Sequence, residues 1–120
     1  MATTVINLRL EEVDGTSQLQ WENNGEWTAV SRNSPSTSLD EGDEIDWDGD
    51  DTIKKIKIKF EKGNIIPNSD IRDNDTKKVK ASPKRGLGTQ KLSDKYDITA
   101  YPEGGGKPVT VDPDVNYPAS

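Results

Sequence analysis

The residues with most chemical potential in this chain are four aspartates within six positions, Asp46, Asp48, Asp50 and Asp51. They lie in "EGDEIDWDGDDTIKKIKIKF" (Glu41 to Phe60), which puts seven acids into its first eleven residues and then alternates Lys with Ile. Hard oxygen ligands crowded into a turn are what calcium takes. An EF-hand loop starting at Asp46 would need Gly at its sixth position and Glu at its twelfth, where this chain has Asp51 and Lys57. A calcium loop of another build is therefore the alternative to a simpler expectation, an acidic solvated turn beside a lysine-rich strand. In that strand Lys55, Lys57 and Lys59 share one face, where charge discourages edge-to-edge pairing. The same ladder suits a polyanion, but the chain is acidic and no aromatic residue interleaves with the lysines, which argues against nucleic acid.

Other chemistry is closed by composition. The chain has no His and no Cys, which removes Ser-His and Cys-His nucleophilic machinery and soft-ligand zinc or iron sites. A carboxylate pair could serve a glycosidase, but these acids sit in hydrophilic turns with little apolar sequence to raise one pKa. The expectation is that the protein is not an enzyme and carries no cofactor. "RGLGTQK" (Arg85 to Lys91) lacks the Gly-Lys-Ser/Thr ending of a phosphate-binding loop and no helical pattern follows it, so it reads as an inter-strand loop. Asn74-Asp75-Thr76 matches the glycosylation sequon and is taken as chance. Of three tryptophans, Trp21 and Trp47 alternate with polar neighbours and are expected in the core. Trp27 follows the "ENNGE" turn. The core is its expected place too, and exposure would make it a stacking platform for carbohydrate.

The elements that must position these residues read with period two. "TVINLRL" sets Ile6, Leu8 and Leu10 on one face. "LQW", "WTAV", "DEIDW", "IKIKF", "KVKA", "KYDITAY" and "PVTVD" behave alike, and Asn24-Gly25 is a strong hairpin signal. Seven or eight short strands punctuated by "NSPSTS", "DGDD" and "PEGGG", without a helical period anywhere, imply a single all-β sandwich domain over residues 1–120. Residues 63–82 are the least strand-like and read as a long loop with an embedded turn. Leu, Ile, Val and Phe number 23 of 120, so the core is lean. No apolar run approaches the ~20 residues that span a bilayer, so no membrane partner is expected. The N-terminus has no basic flank or apolar stretch of a signal peptide, so cytoplasmic residence is expected. Charge is segregated: residues 1–51 hold 2 basic and 13 acidic side chains, and residues 52–85 hold 11 basic and 4 acidic. Such asymmetry bears on association rather than on fold.

Two segments carry a family resemblance. "GDEIDW" (Gly42 to Trp47), followed by a short turn and a charged-apolar strand, resembles the strand-entry motif of cupredoxins. "KYDITAYPEGGGKPVTVDPDV" (Lys95 to Val115) is similar to the closing region of cupredoxin-like domains, where a Tyr-bearing strand runs through a loop to a final strand and an Asp-Pro pair, here Asp112-Pro113. The resemblance implies a cupredoxin-like sandwich of the copper-free bacterial kind, with an immunoglobulin-like sandwich as the alternative. A copper protein of that family would keep a His near Lys54 or Lys55 and a Cys, a second His and usually a Met around the loop after Ile98. None stands there, and the chain's single Met is Met1. The expected function is a non-catalytic interaction or self-assembly module whose partner is protein, including a second copy. The alternative is a calcium- or carbohydrate-binding module using the 46–51 turn or Trp27. With oxygen ligands alone, copper and zinc should be held weakly; dialysis against a mild chelator should strip both completely, and stoichiometric retained copper would overturn this.

Overall fold

The computed structural model describes residues 2–32, 34–71 and 76–118. Ten strands form two mixed sheets packed as a sandwich: β1 Thr3–Val13, β2 Thr16–Asn23, β3 Glu26–Ala29, β4 Ser36–Ser38, β5 Glu44–Gly49, β6 Ile53–Phe60, β7 Lys78–Ala81, β8 Leu92–Pro102, β9 Val109–Val111 and β10 Asp114–Tyr117. The first sheet runs β3-β2-β1-β5-β7 and the second β4-β10-β8-β6, with β9 also paired to β8. Pairing is antiparallel except between β1 and β5 and between β4 and β10. Among the described residues the only helical element is a 3-10 turn, Asn68–Asp70.

The expected alternation governs the packing. Ile6, Leu8 and Leu10, Ile45 and Trp47, Ile56, Ile58 and Phe60, and Tyr96, Ile98 and Ala100 are all buried between the sheets. Asp14-Gly15 and Asn24-Gly25 close the two first hairpins with all four residues at positive φ, 52° and 78°, then 53° and 85°. That is the backbone a two-residue turn needs to match strand twist. Two of the ten strands escape the sequence reading. β4 is three polar residues with only Thr37 buried, and β10 begins after a proline, so neither carries an alternation long enough to register. The 63–82 stretch holds the 3-10 turn and ends in β7, the "KVKA" strand.

Three aromatic rings bridge the sheets. Trp47 of β5 lies 5.4 Å from Tyr96 of β8 and 6.3 Å from Phe60 of β6, and Phe60 lies 5.0 Å from Tyr96. Such tilted and edge-on pairs contribute roughly 0.5–1.5 kcal/mol each beyond the area they bury. Trp47 Nε1 donates to the Tyr96 hydroxyl at 3.3 Å, and burial pushes that phenol's pKa up.

Polar side chains seal the ends and edges. Asn68 accepts the Phe60 N–H at 2.6 Å and donates to the Phe60 carbonyl at 2.8 Å, standing in for a neighbouring strand at the edge of β6. Ile56 N–H donates to the Thr76 carbonyl on the same edge. Asp43 accepts the N–H groups of Asp40 and Ala2, which lowers its pKa and ties the approach to β5 to the start of β1. Asp94, 2% exposed and on the inward face of β8, accepts the N–H groups of Lys62 and Gly63 at 2.9 and 2.8 Å. Removing that carboxylate strands two backbone donors. Asp94→Ala should therefore lower the unfolding free energy by about 2 kcal/mol and Asp94→Asn by less. Urea titration reads both, and an alanine variant as stable as the parent would refute this role.

Candidate functional site

The outer face of the first sheet collects most of the residues singled out in the sequence. Cross-strand register sets Trp27 of β3 opposite Glu22 of β2, Asn7 of β1 opposite Asp48 of β5, and Asp48 opposite Lys78 of β7. The β1–β2 pairing that matches Leu8 with Trp21 brings Asn7 alongside Glu22, so one polar row crosses all five strands. Over it lies an open cleft of about 240 Å³ lined by Asn7, Glu22, Trp27, Asp48 and Asp50, with Leu8 and Gly49. Gly49 is demanded by packing rather than by φ. A Cβ there would lie 3.1 Å from Lys77 Cβ and 3.2 Å from Ile53 Cβ.

Trp27 departs from the core placement expected for it. The Asn24-Gly25 turn pairs Asn23 with Glu26, so Trp27 must share the outward face of Glu22, while Trp21 takes the inward parity beside Leu8. Trp27 is half-buried, and the Arg9 guanidinium lies 4.4 Å from its ring centroid. Arg9 is itself held by Gln20 Oε1, accepting from Nε at 2.8 Å. Trp21 packs against the core with its Nε1 donating to Ser34 Oγ, and Trp47 is fully buried, as expected for both.

The four aspartates do not converge. Asp46 and Asp48 lie on the outer face of β5 opposite Lys80 and Lys78. Asp50 folds back on the turn, its Oδ1 accepting both the N–H and the hydroxyl of Thr52. Asp51 pairs with Lys77 at 3.7 Å, and Lys77 also donates to the Asp50 carbonyl. Among the described residues no group of three or more potential ligands is arranged to hold a metal ion. The Asn74-Asp75-Thr76 sequon falls outside the described residues except for Thr76. In the "RGLGTQK" loop, Leu87 is buried in the core and the Gly88 carbonyl accepts the Tyr117 hydroxyl, which fits an inter-strand loop.

The lysine ladder occupies the opposite side of the sandwich, on the outer face of the second sheet. There the sequence missed an aromatic partner: Tyr101 of β8 pairs with Lys55, whose ammonium lies 4.7 Å from the ring centroid, with that of Lys57 at 5.8 Å. Asn7 and Glu22 were also missed, although the Asn-Gly turn and strand parity contain the signal for Glu22. Arg9 and Tyr101 are recognisable only once the strands are paired. No protein-family model matches the chain, and no curated protein matches it in sequence.

The dispersed carboxylates generate a direct test. Calcium or magnesium at ~1 mM should leave the melting temperature unchanged, because only a site in the native state adds stability by linkage. A calcium-specific rise abolished by Asp48→Asn with Asp50→Asn would reverse that conclusion.

Proposed function

We propose that the protein is a non-catalytic interaction module that associates through oppositely charged outer faces, with a second copy as its partner. The observation carrying this reading is the row Trp27–Glu22–Asn7–Asp48, ending at Lys78 and with Asp50 at its rim, on one side of the sandwich, and Lys55, Lys57 and Lys59 on the other. A cleft with three carboxylates and an indole suits a cationic side chain, since ammonium and guanidinium groups favour both carboxylates and aromatic faces. Arg9 already makes this contact with Trp27 within the chain. The domain measures 45 × 28 × 22 Å, so each broad face has room for the ~800 Å² per partner that a stable interface buries. Contact between unlike faces is heterologous and builds rings or filaments.

The cupredoxin-like ancestry is part of this reading. "GDEIDW" supplies β5 with Trp47 facing inward, and the closing segment supplies β8, β9 and the start of β10. An immunoglobulin-like sandwich remains its alternative. Carbohydrate is the second functional reading, favoured by the Asn7 carboxamide between the acids of the Trp27 cleft. It predicts quenching of tryptophan fluorescence by an uncharged oligosaccharide, insensitive to salt.

Light scattering should find self-association that fades between ~0.1 and ~1 M salt as the Debye length falls from about 10 to about 3 Å. Glu22→Lys with Asp48→Lys should abolish it, and so should Lys57→Glu with Lys59→Glu. Mixing the two variants in equal amounts should restore association, because the unaltered lysine face of the first meets the unaltered acidic face of the second. A monomer at every concentration and ionic strength would sink the assembly reading.

A further inference from the structure

A separate cleft, about 430 Å³, lies at the end of the lysine strand between Lys54, Lys55, Tyr101, Pro102 and the turn Glu103–Gly106. Its construction departs from a plain sheet surface in three ways. First, the β6–β8 register shifts between Ile53 and Lys55. In a regular strand successive side chains point to opposite faces, yet here Lys54 and Lys55 line one cleft. Irregularities of this kind re-aim side chains and recur beside binding sites. Second, Lys55 and Lys57 are held against the Tyr101 ring, so part of the cost of ordering two flexible ammoniums is met before any ligand arrives.

Third, three successive residues of the opposite wall carry no side chain. Gly104, Gly105 and Gly106 all have positive φ, 86°, 94° and 116°. A Cβ at Gly104 or Gly105 would meet nothing within 4 Å, so backbone conformation and not crowding demands glycine. An alanine at any of the three would be strained at these φ values, so the turn depends on glycine. With no side chain on these residues, a ligand can approach the backbone of the turn closely. The turn is pinned where it leaves β8, Glu103 N–H donating to the Thr52 carbonyl and Gly105 N–H to that of Pro102. Among the described residues Glu103 is the one acid in the lining, set against Lys54 and Lys55.

We infer that this cleft binds a small organic phosphate or sulfate ester. The ester's anion would sit between Lys54 and Lys55, facing the glycine turn. Its organic part would lie along Pro102, because the cleft is much larger than a bare oxyanion needs. This inference stands apart from assembly, which concerns extended faces, and a chain that never associates can still bind such a ligand.

The test is ¹⁵N NMR titration of the whole chain at low salt and at a concentration where scattering shows monomer. Adenosine diphosphate and a sulfated heparin disaccharide are the probes, with adenosine, an unsulfated disaccharide and inorganic phosphate as controls. One or both esters should give saturable shifts at Lys54, Lys55 and Gly104–Gly106, with a Kd of about 1 mM or tighter. The tighter of the two identifies the source of the ester. Lys54→Gln with Lys55→Gln should weaken binding at least ~10-fold, equivalent to about 1.4 kcal/mol. Glu103→Gln should tighten binding, and Lys59→Gln, at the far end of the ladder, should leave it unchanged. Absence of saturable shifts with both esters overturns the proposal. So does an equal response to inorganic phosphate, or equal weakening by Lys59→Gln, since either would reduce the site to diffuse attraction by surface lysines.

Discussion

The register between β1 and β5 is the constraint on which the rest of the molecule depends. β1 is the central strand of its sheet, antiparallel to β2 and parallel to β5, and its inward residues Ile6, Leu8 and Leu10 are all buried. A slip by one residue would exchange them for Asn7 and Arg9 in the core, forfeiting roughly 1.5–3 kcal/mol for each buried aliphatic side chain. Locked in this way, β1 has no freedom over what it shows to solvent. Asn7 must stand between Glu22 and Asp48, and Arg9 must stand where its guanidinium reaches Trp27. The polar row on the surface is a by-product of apolar burial one residue away.

Most of the fold was legible because period two is a strong signal even in a chain this polar. Every long alternating segment became a strand, and most buried positions have the inward parity, with Gln20 under Arg9 and Ile53 before the β6 irregularity as exceptions. Asp94 illustrates a readable signal that drew no attention: it has the parity of Tyr96 and Ile98, so a carboxylate had to enter the core and find backbone donors. Trp27 was legible in the same sense. Its outward placement follows from the Asn-Gly turn by counting back to Glu22, whereas hydrophobicity alone pointed inward. What could not be read was the partnership of Lys55 with Tyr101, or of Asp48 with Lys78. Those pairs join segments far apart in the chain, and nothing local specifies which strands become neighbours.

Charge segregation along the sequence also changes meaning once the chain is folded. The acidic first block builds β1 to β5, but the basic block divides between the sheets. β6 carries its lysines to the far side of the sandwich, while β7 joins the acidic sheet and sets Lys78 and Lys80 against Asp48 and Asp46. Lys77 joins them at Asp51. The domain thus neutralises part of its own asymmetry, and within the row Asp48 stands beside Lys78 while Glu22 stands beside Trp27.

The Asn68 amide has a consequence for how far the second sheet can extend. β6 alternates Lys and Ile, and its main partner β8 begins more than thirty residues later in the chain. Asn68 is only eight residues from Phe60 and satisfies its N–H and carbonyl together. It occupies that side of the strand's end with a side chain that cannot propagate a ladder. Among the described residues β6 therefore pairs with one strand only, β8, and ends its sheet there.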